Sequence, residues 1–257
     1  TLRAPRRFMQ NVRRTMRLGT VKDKYESLRP LIVWLGLTEL VWISYWLLRT
    51  GDATLGYTTT VVAWIVAMLG WLALAIYVGR RGFFLEHSRW LSNLVGAVMV
   101  VTFAIVVFAA VPAAREGLAT AATATTNREL ASIHILRLLA IGTIIKYLQR
   151  ELPLHFVILG ALPDFLFAVS AVVVTFLVGN TLLGQDFLFA WHSIGFLVFF
   201  GAGISMFFSV PSPFRIYHGV PDTSIAFRFP MFLAPNFTVP LFMLAHAFAL
   251  VKLTVAG

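Results

Sequence analysis

The chain has no cysteine among its 257 residues, which excludes disulfides, thiolate metal sites and cysteine nucleophiles. It is also short of charge. Asp, Glu, Lys and Arg make up 12% of the residues, about half of the roughly 25% usual in a soluble domain. Acidic residues are scarcer still, 11 against 21 Lys and Arg. There is no glycine-rich phosphate loop, no nucleophile elbow for a Ser-His-Asp triad and no His-Glu-x-x-His pair, so ATP use and the common hydrolytic chemistries have no footing. The last apolar run lacks the mid-helix lysine of a retinal protein, since Lys252 stands at its far end, and holds only His246 where a ceramidase-type zinc site would want two histidines.

What is present is apolar sequence in quantity: 59% of the residues are hydrophobic, with a mean hydropathy of +0.82. The apolar residues gather in runs of about 18 to 25, matching the roughly 20 residues a helix needs to cross a bilayer. Seven runs, at 31–48, 57–78, 90–111, 130–148, 154–178, 187–209 and 229–254, predict an all-α, polytopic integral membrane protein with seven transmembrane helices. Turn and charge signals separate them, including the Ala/Thr-rich stretch 113–128 and the Pro-Ser-Pro segment from Pro211. Two regions follow: a juxtamembrane segment, 1–29, and one transmembrane domain, 30–257.

The net charge of +10 is concentrated at one end. Residues 1–29 carry nine Lys and Arg against Asp23 and Glu26. Phe8, Met9, Val12 and Met16 recur at helical spacing, which predicts a basic amphipathic surface helix over 2–19, held by anionic lipids rather than by nucleic acid. The first apolar run is of full span length with no small-residue cleavage site, so no cleavable signal peptide is expected although the chain opens on Thr1. With the N-terminus inside, sixteen Lys and Arg fall on the cytoplasmic side and four outside. This bias predicts an N-in, C-out topology, as in a bacterial inner membrane. The fourth run is the weakest, because Arg137 and Lys146 interrupt it.

Polar groups inside spans are costly and therefore point to function. His134, His192 and His246 fall on three helices at similar depth, in the outer leaflet of the expected topology, roughly 7–12 Å from the outer edge at 1.5 Å per residue. Arg137 follows His134 by one turn. Such a layer suits haem b clamped by two histidines, a three-histidine metal site, or a quinone bonded by one histidine and Arg137. Each histidine bonding a neighbouring carbonyl is the plain alternative.

Pro163 breaks the ladder in the fifth run and frees the carbonyl of Leu159 beside Asp164, which suits either a proton site or a salt bridge to Arg137 or Lys146. Pro230, Pro235 and Pro240 bend the seventh run around Asn236, and Gly195, Gly201 and Gly203 permit close contact along the sixth. The leading expectation is a membrane subunit, within a larger electron-transfer complex, that binds a haem-like or lipid-soluble ligand in an outer-leaflet pocket of helices four to seven. Its site residues are His134, Arg137, His192 and His246. The alternatives are an ion- or proton-coupled carrier using Asp164, Asn236 and Glu39, or a scaffold partner of other membrane subunits.

Overall fold

The computed structural model describes residues 29–49, 54–83, 89–179, 183–210 and 212–255. The expected surface helix over 2–19 lies outside the described residues. The described chain is helical, with no strand among the described residues. Its long elements are α1 (Arg29–Leu48), α2 (Leu55–Arg81), α3 (Arg89–Ala110), α4 (Pro112–Ala124), α5 (Asn127–Leu148), α6 (Leu154–Val178), α7 (Gln185–Ser209) and α8 (Ala234–Val255). Six helices are long and apolar enough to cross a membrane, or seven if the bent pair α3–α4 counts as one span.

Local sequence sets the helix ends. Thr54 caps α2 by accepting from the Tyr57 N–H, and Gly82 closes it at φ 65°, a left-handed conformation that glycine adopts freely. Thr126 and Glu129 form a reciprocal capping box at the start of α5. That helix is unbroken across Arg137 and Lys146, but its middle, Ile133–Ala140, tightens to three residues per turn.

The Ala/Thr-rich stretch read as a separator is instead α4, folded back by 108° from α3. Alanine is the strongest helix former and proline is at home in a first turn, so the segment is helical without being apolar. It lies across the ends of three other helices. Gly117 sits against the face of the Tyr57 ring on α2. Lys252 of α8 donates to the carbonyls of Ala122 and Thr123 at 3.3 and 3.2 Å, and Arg49 donates to that of Ala124. Two cations thus meet the negative end of one helix dipole.

The proline-bearing helices share a second feature. In α6 a wide π turn, Val157–Ala161, ends two residues before Pro163; in α8 another, Ala234–Thr238, ends two residues before Pro240. The wide turn absorbs the missing donor and the ring clash of each proline. Pro240 frees the Asn236 carbonyl, and the Trp71 indole N–H donates to it at 2.8 Å. The freed Leu159 carbonyl of α6 lies against Gly201 of α7, where a side chain would collide with it. Gly195 and Gly201 are thus at close contacts, whereas Gly203 faces open space.

Buried apolar residues form two clusters. The larger joins α1, α2, α3, α4 and α8 with the start of α5 and with Phe199 of α7, and the smaller joins α5, α6, α7 and the end of α8. Arg137 and Asp164 pair between α5 and α6, and Glu39 of α1 is buried inside the bundle. Gly117→Ala should lower the thermal midpoint in detergent, at a cost of about 1–3 kcal/mol for an overpacked contact. Gly70→Ala, whose added methyl meets nothing within 4 Å, should not. Equal midpoints for the two variants would show that α4 is not seated on Tyr57.

Candidate functional site

In a helix of three residues per turn, positions i and i+3 eclipse one another. The tight stretch of α5 therefore projects His134 and Arg137 in one direction. Asp164 follows Pro163 on α6, while His192 and His246 come from α7 and α8. His134, Arg137, His192 and His246 are all buried, at most 2% exposed.

The contacts fix the hydrogen-bond roles. Arg137 Nε donates to Asp164 Oδ1 at 2.6 Å. Its Nη1 lies 2.9 Å from His246 Nε2 and 3.5 Å from the Gly195 carbonyl. A guanidinium only donates, so His246 Nε2 accepts and the ring proton is on Nδ1. That N–H then donates to His192 Nδ1, 3.1 Å away, which leaves the His192 proton on Nε2. Arg137 thus donates in two directions, to Asp164 on one side and to His246 on the other, and His246 passes the second chain on to His192. His134 stacks on His246, with ring centroids 3.7 Å apart and planes 11° apart, and neither of its nitrogens has a hydrogen-bond partner among the described residues.

Aromatic rings enclose the guanidinium. Its carbon stands 4.4 Å from the Phe167 ring centre and 4.1 Å from that of Phe199. Both faces are covered, which compensates a cation withdrawn from water. Arg137 Nη2 remains buried and without a partner among the described residues. Glu39 of α1 is wholly buried, lies within electrostatic range of Arg137 and Asp164, and has no hydrogen bond to either carboxyl oxygen among the described residues.

The expected layer of histidines converges: each offers a nitrogen within 4.8 Å of the others. The arrangement is a bonded stack rather than a coordination sphere. His246 has both nitrogens engaged, one of them against a cation. Stacked imidazoles also direct their lone pairs along parallel planes, whereas metal ligands must converge on one point. None of the three histidines is among the residues that line the neighbouring cavity.

The space lies one turn further along. A cavity of about 730 Å³ begins at Arg137 and Asp164 and extends past Lys146 to Phe227. This volume is within the range of small-molecule sites. Its walls are apolar and aromatic, and α1 and α3 line it along with α5 to α8. This cavity therefore lies beside the site expected at the histidines rather than at it. At their level packing is too tight for a void, since a methyl group at Gly195 would run into His246 and Phe167. Of the four expected site residues, only Arg137 lines the cavity.

Asp164 takes the salt bridge to Arg137, while Lys146 pairs with Glu151 at 3.1 Å. Asn236 donates to the Phe232 carbonyl, two residues ahead of α8, at 2.9 Å. Sequence reading missed Phe167 and Phe199 and took Gly195 only as a close helix contact, although Phe167 follows Asp164 by three residues and the other two follow His192 by three and seven. That spacing places them on the faces already marked by the polar residues.

Residues 90–254 match the family model of a domain of unknown function, DUF8737. No curated protein and no solved structure matches the chain. The hydrogen-bond assignment predicts that the purified protein carries no stoichiometric transition metal and that added zinc leaves its thermal midpoint unchanged. One metal per chain, lost in His246→Ala, would replace the stack with a coordination site.

Proposed function

The chain belongs to the DUF8737 family, and from its site we propose that it is a membrane-embedded protein binding a lipid-soluble ligand in the cavity beside Arg137. The ligand's apolar body would occupy the space between α1 and α7, and its head would present an acceptor oxygen to Nη2. The observation that carries this reading is the buried, unpartnered Nη2 of Arg137, a residue at the wall of a mainly apolar cavity. A donor of this kind recognises oxygen, and a low-dielectric wall strengthens the bond. Quinone carbonyls and fatty-acid carboxyls share that chemistry.

The N-terminus would lie in the cytoplasm and the chain in a bacterial inner membrane, with the bent pair as the third of seven spans. Support comes from the sixteen-to-four charge bias. Anionic lipids would then hold the basic segment 1–29.

Binding of decylubiquinone and of oleate to the purified chain tests the two head groups side by side. Arg137→Gln should weaken the true class roughly ten- to hundredfold, since a hydrogen bond to a charged group is worth about 1.5–3 kcal/mol. Gly142→Leu and Gly203→Leu should abolish binding without lowering the thermal midpoint, because both glycines line the cavity and neither meets an atom where a side chain would start. Undiminished binding in all three variants would remove the cavity from the function.

Orientation has its own test. The chain has no native cysteine, so Val220→Cys, at a residue 95% exposed, gives a single thiol. An impermeant maleimide should label it in inverted membrane vesicles and not in intact spheroplasts; the opposite pattern would reverse the topology.

A further inference from the structure

Two carboxyl groups lie within electrostatic range of one guanidinium, and only one of them is bonded to it. Asp164 is bonded to Arg137 at 2.6 Å and reaches the cavity. Glu39 is wholly buried, does not line the cavity, and interacts electrostatically with both. If both carboxyls were ionised, the trio would hold a net negative charge in the membrane interior, where an unpaired charge is strongly disfavoured. One bound proton makes it neutral.

The surrounding groups do not supply that balance. Three more titratable side chains face the trio: His134 on α5, His192 on α7 and His246 on α8. His246 accepts from Arg137 and His192 accepts from His246, so both are neutral imidazoles. A proton on His134 would place a second cation one turn from Arg137, with no acceptor at either nitrogen among the described residues. Lys146 lies nine residues beyond Arg137 and pairs with Glu151.

We propose that Glu39, Arg137 and Asp164 form a one-proton site, in which Arg137 neutralises Asp164 and a proton taken from water rests on a carboxyl oxygen of Glu39. The number of protons held equals the number of carboxyls less the number of guanidinium groups. That rule counts the chain's own groups with the cavity empty, so it stands or falls apart from the binding proposal.

Infrared spectroscopy of the purified 257-residue chain, compared in H2O and D2O at neutral pH, counts protonated carboxyls through their isotope-sensitive C=O stretch. The native chain should show one such group. Glu39→Gln leaves one carboxyl for one guanidinium and should show none. Asp164→Asn should also show none, because Glu39 then becomes the counter-ion of Arg137. Arg137→Gln removes the cation and should show two. A native spectrum without the band overturns the proposal, as does a band of unchanged strength in both carboxyl variants. Should Arg137→Gln fail to fold, the two carboxamide variants, each close to isosteric, decide the question alone.

Discussion

A guanidinium cannot shed its proton inside a membrane, and the arrangement of α5 to α8 around Arg137 follows from that. Removing a cation from water costs several kcal/mol even after relaxation, unless its donors and its charge are matched. Here Asp164 supplies the charge, His246 and the Gly195 carbonyl accept further donors, and Phe167 and Phe199 cover both faces. The tautomers of His246 and His192 follow in turn, since a partner that can only donate sets the direction of every later bond. Tight packing at the histidines is part of the same solution, because water there would compete for each of these contacts.

The helices bring this about through departures from ideal α geometry. Three residues per turn in α5 align His134 with Arg137. The π turns of α6 and α8 widen the helices just ahead of Pro163 and Pro240. Each irregular stretch sits in a wall of the site; of the carbonyls freed by proline, that of Asn236 accepts from Trp71 and that of Leu159 lies against the bare backbone of Gly201. Within a bilayer such irregularity persists only where protein or a cavity, rather than lipid, surrounds it.

Much of this was legible from residues alone. Apolar run length gave the spans, and charged or imidazole side chains inside them marked Arg137, Asp164 and the three histidines as one neighbourhood. Helical period put His134 and Arg137 on one face. Three things were hidden. Hydropathy passes over α4, because an Ala/Thr helix is neither apolar nor charged. The form of a proline distortion depends on the neighbouring helix, so a kink was readable but a π turn was not. The position of the cavity depends on how tightly side chains from different helices fill each layer, and Gly195 shows the limit: its missing side chain suggests room, yet the space is already taken by His246 and Phe167. Glu39 also joins from outside the family-matched stretch, from a helix whose packing the downstream sequence does not specify.

The position of α4 has a mechanical corollary. Arg49 near the end of α1, Tyr57 at the start of α2 and Lys252 at the end of α8 are all fastened to this one short helix. The cavity reaches toward the opposite ends of α1 and α8, where Leu31 and Ala234 line it. A bundle clamped at one end and hollow at the other behaves like a pair of tongs: to admit a bulky guest its helices would swing apart about the clamp, with the smallest displacement beside α4 and the largest at the far rim.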